Sequence, residues 1–355
     1  GYQLVRPMTQ VLGISKADAK AKPETKLSLA EEFRAIGDLE GARSLAEEVL
    51  AEVSHGTEKD VDAAVKAARA AYEKVWSKLP GSERGKYLYR IARIIQERGR
   101  ELAVAETLNN GKPIKETRDF DIPTVAAWFF YYAGWADKLD YAGLGANPKA
   151  HGVAAQVIPW NFPLMMLAWK VAPALAAGNT VVIKPSEKDP SASIWIAKLW
   201  KEAGLPDGVF NVVQGDKVAV DGLLEHPDVK AISFVGSTPI AQYIYSRGAE
   251  LGKRVQALGG AKNHMVVMPD ADIEQAVDGL IGAAYGSAGE RCMAISVALV
   301  VGDETADALT KMIAEKARNL KIGAGNQTGL DMGPLVSKTH LEKVRHYVEL
   351  GVQEG

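Results

Sequence analysis

Past Gly152 the chain alternates short β-branched, apolar runs with helical segments, and no other feature constrains its fold as strongly. The runs cover residues 153–158, 180–183, 209–213, 231–235, 254–258 and 264–268, with helical patterning between most of them. Strands joined by helices rather than by tight turns predict a mostly parallel sheet covered on both faces, a doubly wound α/β architecture. In such sheets ligands lie beyond the carboxyl ends of the strands, so the residues that follow each run are where chemistry is expected. At 355 residues the chain has room for about two to three domains of ordinary size.

Three strand ends carry unusual residues: Pro159-Trp160-Asn161-Phe162-Pro163, Lys184-Pro185-Ser186-Glu187 and Phe234-Val235-Gly236-Ser237-Thr238. A fourth segment, Gly286-Ser287-Ala288-Gly289-Glu290-Arg291-Cys292, holds the single cysteine of the chain. One cysteine excludes an intramolecular disulfide. A lone cysteine is more often a small buried hydrophobe than a nucleophile, but a glycine-rich turn and an adjacent arginine are a setting that favours a thiolate. The six histidines include no His-x-x-x-His pair, and no metal site is expected. Charge is balanced, with 42 Lys and Arg against 44 Asp and Glu, which gives no phosphate-tracking surface for nucleic acid.

Ahead of the alternating region, residues 1–24 read as a polar tail and 25–54 as a helical hairpin. Leu27, Leu29, Ala30, Phe33 and Ile36 precede a Gly37-Asp38-Leu39-Glu40-Gly41 turn, and Ala42, Leu45, Ala46, Val49 and Leu50 follow it. One such unit cannot bury its own apolar face, so it is expected to meet the body of the protein or a protein partner through 27–53. A helix capped by Thr57 and Asp60 follows, with Val61, Ala64, Val65, Ala68 and Tyr72 as its stripe. Another begins after Pro80 and directs Tyr87, Ile91, Ile94 and Ile95 to one face. The start of the chain has no export signal, and the most apolar tract is interrupted by Pro159, Asn161, Pro163, Lys170 and Pro173, so no membrane partner and a cytoplasmic location are expected.

Taken together in this order, the four motifs resemble the aldehyde dehydrogenase superfamily, over nearly everything from about residue 52 to 355. From Lys184 onward, and especially in Gln256-Ala257-Leu258-Gly259-Gly260-Ala261-Lys262-Asn263-His264 and Gly289-Glu290-Arg291-Cys292-Met293-Ala294, the chain is most similar to the CoA-acylating methylmalonate-semialdehyde dehydrogenase subgroup. The resemblance implies a Rossmann-like dinucleotide domain over 55–252 and a partial α/β catalytic domain over 253–355, behind the helical hairpin. It implies NAD as cofactor, coenzyme A as acyl acceptor and an oxidation coupled to decarboxylation.

It also assigns roles. Cys292 would be the nucleophile toward an aldehyde carbon. The Asn161 amide would help hold the resulting oxyanion, where loss of one donor costs about 3 to 4 kcal/mol of barrier. Ile158, Trp160, Lys184, Glu187, Lys188, Gly236, Ser237 and Gly259 would line the cofactor site. Lys184 and Glu187 would hold the adenosine ribose, and the carboxylate would disfavour a 2′-phosphate. Gly236 would let the pyrophosphate approach backbone N–H groups. Arg291 would bind a substrate carboxylate.

Where most relatives carry the glutamate that activates water for thioester hydrolysis, this chain carries Ala257. Hydrolysis is therefore expected to be slow and the acyl group to await a thiol. A hydrolytic aldehyde dehydrogenase of broad specificity, or a catalytically silent dinucleotide-binding scaffold, are the alternative expectations. Two departures bear on substrate and assembly. Pro123 stands where the subgroup has a second carboxylate-binding arginine. The sequence also stops at Gly355, ahead of the Glu-x-Phe-Gly-Pro segment and of the strand arm through which the family homo-oligomerises, which leads to an expectation of weak turnover.

Overall fold

The computed structural model describes residues 53–145 and 147–354. The expected tail at 1–24 and all but the last two residues of the hairpin at 25–54 lie outside the described residues.

Helix α1 (Glu58–Lys74) starts where the sequence signals it: the Asp60 carboxylate accepts the Thr57 backbone N–H at 2.8 Å, closing a capping box. Val61, Val65, Ala68 and Ala71, spaced by three and four, form its buried stripe. Helix α2 (Gly81–Glu97) buries Leu88, Ile91, Ala92 and Ile95. Helix α3 (Gly99–Asn110) ends at Gly111, whose φ of 87° reverses the chain in a conformation that L side chains resist. A short helical turn (Ile114–Glu116) and a π-helical turn (Thr117–Asp121) lead into α4 (Ile122–Trp135).

The main sheet has five parallel strands: β1 (Val153–Val157), β2 (Thr180–Lys184), β3 (Phe210–Val212), β4 (Val229–Val235) and β5 (Arg254–Leu258). Their spatial order is β3-β2-β1-β4-β5, so the chain reverses direction across the sheet between β1 and β4. Four helices make the crossovers: α5 (Pro163–Ala176), α6 (Ser191–Glu202), α7 (Lys217–Glu225) and α8 (Thr238–Glu250). Helices α2, α4, α5 and α6 share one apolar core on one face, and α1, α7 and α8 another on the opposite face. Every residue of β1 and β2 is buried, which is why those runs show no apolar–polar alternation; the polar members Gln156, Thr180 and Lys184 are buried with the rest. At about 1.5 to 3 kcal/mol per fully buried large aliphatic or aromatic side chain, the doubly wound layer dominates the stability of the molecule.

Two sequence expectations need correction. The anticipated boundary at 252/253 falls before β5, which pairs with β4 from Ala231↔Arg254 to Val235↔Leu258; the change of sheet comes after Leu258. The second sheet is a parallel pair, β6 (Asn263–Val267) and β7 (Ile295–Val300), joined by α9 (Ile273–Tyr285). Strand β7 was not among the expected runs, because it starts only three residues past Cys292 and merges with that motif. Helix α10 (Asp303–Arg318) and α9 cover one face of this pair, and α11 (Lys338–Glu354) closes the described chain.

Candidate active site

A crevice of about 390 Å³ opens beyond the carboxyl ends of β1, β2 and β4, at the switch point. Ile158, Trp160, Lys184, Glu187, Gly236 and Ser237 line it, six of the eight residues expected at a cofactor site. Gly236 sits against the Phe234 ring, and a Cβ there would collide with it. Its N–H donates to the Leu258 carbonyl at 3.1 Å, which ties the end of β4 to the end of β5. Ser237 then takes the N-cap position of α8 without a side-chain cap bond, and the N–H groups of Thr238 and Ile240, on either side of Pro239, have no partner within the helix. This is the fit an anionic diphosphate requires: a backbone stripped of side chain leading into a helix N-terminus.

Lys184 is nearly sealed, with its side chain 5% exposed, and its ammonium donates to the Gly215 carbonyl at 2.9 Å and to Glu187 at 3.3 Å. Glu187 is more than half exposed at the crevice rim, so a lysine held inside presents a carboxylate outside. The other two expected residues stand apart from the lining. Lys188 places its ammonium 5.7 Å from the centre of the Trp160 ring, and Gly259 lies against Thr238. Sequence reading missed Asp216, Lys217, Val220, Asp221, Ile240 and Tyr243, which α7 and α8 bring to the same crevice. No motif marks them; only the packing of the two helices places them there.

Cys292 is exposed. It follows a turn in which Ser287, Ala288 and Gly289 all have positive φ, at 49°, 54° and 75°. For two residues with a Cβ this costs of order 1 to 3 kcal/mol each, so neighbouring groups must hold the turn. Glu116 does so: one carboxylate oxygen accepts the Ser287 N–H at 3.2 Å and the other accepts Arg291 Nη2 at 2.6 Å. Arg291 Nη1 reaches the Gly282 carbonyl at 3.3 Å. The guanidinium expected to face a substrate carboxylate is thus engaged by the protein. On the far side of the cysteine, Asn263 Nδ2 donates to the Cys292 and Ala294 carbonyls, each at 2.9 Å.

Asn161 joins crevice and cysteine. It follows Trp160 at the end of β1, and its Nδ2 donates to the Glu290 carbonyl at 2.7 Å, two residues before Cys292. One N–H of that amide remains for a further acceptor. Burial pushes the Glu290 carboxyl up to about 7, against the pull of the Val336 N–H and of Lys188. The end of β5 offers no proton acceptor in its side chains: Ala257 packs inward against the core beside Val255, and Leu258 is half exposed. Among the described residues no group of His, Cys, Asp and Glu is placed to hold a metal ion, and no helix is long and apolar enough to cross a membrane.

Fold and site together define a doubly wound α/β protein with a switch-point crevice and, on a separate segment tied to it through Asn161 and Glu290, an exposed free thiol. The chain belongs to the aldehyde dehydrogenase family, whose model matches residues 38–355. It is similar to a malonate-semialdehyde dehydrogenase of Pseudomonas aeruginosa, at 48% identity over 310 residues, covering 84% of this chain and 61% of that protein. A malonate-semialdehyde dehydrogenase of Geobacillus thermodenitrificans is 45% identical over 317 residues, covering 87% and 65%. Among solved structures, a methylmalonate-semialdehyde dehydrogenase of Oceanimonas doudoroffii superposes with a TM-score of 0.80 at 41% identity, covering 85% of this chain and 63% of that one. An NAD+ complex of an aldehyde dehydrogenase from Bacillus cereus gives 0.81 at 39% identity, covering 86% and 64%. The chain therefore spans between 61% and 65% of the length of these curated relatives.

Proposed function

We propose that this chain carries the nucleophile and the dinucleotide crevice of an NAD-dependent, CoA-acylating dehydrogenase for a small semialdehyde of the malonate or methylmalonate type. The observation that carries the reading is the 2.7 Å bond from Asn161 to the Glu290 carbonyl, which ties the crevice loop to the cysteine turn. Cys292 Sγ attacks the aldehyde carbon, a C–S bond forms and negative charge develops on the former carbonyl oxygen. The free N–H of Asn161 and the Cys292 backbone N–H are the donors for that oxygen. Bound NAD would supply the hydride acceptor, held by Gly236, Ser237 and the helix terminus at its diphosphate and by Lys184 and Glu187 at its ribose.

The acyl group then rests on Cys292 as a thioester. Neither Ala257 nor Leu258 can take a proton from water, so the chain does not assist hydrolysis at that strand end. The thiolate of coenzyme A attacks the acyl carbon, a new C–S bond forms, and Cys292 leaves as thiolate with the electron pair. With Nη1 and Nη2 engaged by Gly282 and Glu116 and Nε without a partner, Arg291 would serve a substrate carboxylate through Nε or by giving up Glu116. Homo-oligomerisation, a protein partner through 27–53 and a cytoplasmic location remain part of this proposal, the second on the apolar stripe of 27–53 that one helical pair cannot bury by itself.

The test follows NADH from malonate semialdehyde or propionaldehyde with and without coenzyme A. CoA-dependent turnover is expected. CoA-independent turnover would favour a hydrolytic enzyme, and NAD binding without turnover would favour a silent scaffold.

A further inference from the structure

The loop that carries Asn161 is held at alternate residues by a single buried segment. Asn110, the last residue of α3, donates Nδ2 to the Trp160 carbonyl at 2.8 Å. Lys112, turned back by Gly111, stands 3.5 Å from the centre of the Phe162 ring and is paired with Asp121 at 2.7 Å. Glu106, one helical turn before Asn110, accepts the Leu164 N–H at 3.2 Å. Residues 160, 162 and 164 are thus fixed from one side, which leaves residue 161 between them to reach the cysteine turn. The three holding groups are 1%, 8% and 2% exposed for Glu106, Asn110 and Lys112, and none of them lines the crevice. Two ionisable groups and an amide buried this deeply need a structural return for their desolvation, and here all three point at one loop. Asn110 also accepts the Lys112 N–H on its Oδ1 at 3.3 Å, so its amide orientation is set from both ends.

The geometry points to Glu106, Asn110 and Lys112 as positioning residues that aim the Asn161 amide at the oxygen developing on the acyl carbon at Cys292. The inference rests on the reading of Asn161 as an oxyanion donor and adds the machinery that sets it. Truncating Asn110 frees the Trp160 carbonyl and lets the loop drift. A displacement of about 1 Å in such a group slows the chemistry by about 100-fold.

The experiment uses the full chain and p-nitrophenyl acetate. The ester C–O bond breaks, a C–S bond to Cys292 forms, nitrophenolate leaves with the electron pair and the thiol proton goes to solvent. This acylation needs the nucleophile and the oxyanion donors but no NAD. Alkylation of Cys292 by iodoacetamide, a displacement with no oxyanion, reports the thiol alone. Asn110→Ala is expected to slow acylation by about 10- to 100-fold while alkylation stays within about twofold, and hydrogen exchange over 158–166 is expected to rise. Asn110→Asp keeps shape and the acceptor for Lys112 while setting a carboxylate against the Trp160 carbonyl, and should act the same way if the alanine variant folds poorly. Glu106→Ala is expected to slow acylation and Glu106→Gln, which retains the acceptor for Leu164, to restore most of it. Equal slowing of acylation and alkylation, or unchanged exchange over 158–166 in both Asn110 variants, overturns the inference. Asn161→Ala separates the layers. If it leaves acylation unchanged, the oxyanion reading itself fails; if it slows acylation and the Asn110 variants do not, only the positioning role fails.

Discussion

The two sheets of this molecule are built to different standards. In the five-stranded sheet β1 and β2 are buried residue by residue, between two separate apolar cores. In the β6–β7 pair only Val267 is buried, and Val266 and Leu299 are 60% and 52% exposed on the face away from α9 and α10. The first sheet supplies the crevice, the second supplies the cysteine, and Asn161 bridges them. Rigidity is thus concentrated where a dinucleotide would be gripped. The thiol sits on a strained turn anchored by side-chain contacts, above all those of Glu116.

The largest expected effect separates the two regions by function. Cys292→Ser should lower aldehyde oxidation by at least about 1,000-fold, because a serine hydroxyl with no base beside it is a poor nucleophile. NAD affinity, which belongs to the five-stranded sheet, should stay within about twofold. Fluorescence titration with NAD beside a turnover assay checks both. Retained turnover would remove the thiol from its role, and lost NAD binding would show that the two regions do not act as separable parts.

Next in size is the stability contrast. Ile183 is fully buried in β2, and Ile183→Ala should cost about 2 to 5 kcal/mol. Val266→Ala, on the exposed face of β6, should change stability by no more than about 0.5 kcal/mol. Urea unfolding of the two variants measures the difference, and comparable losses would mean that the second sheet is buried against something in solution.

How far the sequence disclosed this arrangement follows the same divide. The β1 and β2 runs were legible because burial on both faces makes successive positions mostly apolar, with Gln156, Thr180 and Lys184 as buried polar exceptions. The capping box at Thr57 and Asp60 was legible because its chemistry is local. Strand β7 was not, since no residue of Ile295–Val300 is buried and the run lies directly beside the cysteine motif. Within the site, Cys292 and Asn161 were indicated by family motifs, and the structure joins their segments through Glu290. Glu116 and Asn110 were invisible: each acts on residues 50 or more positions away, at Trp160 for Asn110 and at Ser287 and Arg291 for Glu116. A residue whose role lies in a long-range contact leaves no local pattern to read. The carboxylate-binding role expected of Arg291 illustrates the same limit, because its pairing with Glu116 could be seen only in three dimensions.

The smallest effect concerns pH. Glu106 is fully buried behind the Asn161 loop, and desolvation pushes its carboxyl up to about 8, with Lys112 offsetting part of the shift. Asp189 beside it is held well above the carboxylate range by the same burial and by Glu106, and Asp121 is raised as well. Each of these groups binds more protons folded than unfolded. Stability is therefore fully present below the ordinary carboxylate range and is lost as pH rises toward about 8, at no more than about 1.4 kcal/mol per pH unit for each group. Lys170 works in the opposite sense, because burial lowers its ammonium to about 8, but its contribution changes only above that pH. Between pH 6 and 8 Glu290, raised by burial to about 7, adds to the fall, while His340, whose imidazolium burial disfavours, opposes it at the acid end of the window. Thermal midpoints of the wild type should fall across this window, and Glu106→Gln, which keeps the acceptor for Leu164 and cannot ionise, should flatten the fall. Parallel slopes for the two proteins would mean that Glu106 does not titrate as a buried acid. The loop beside it would then rest on a carboxylate neutralised through Lys112, and Lys112→Met should then destabilise the protein more at pH 8 than at pH 6.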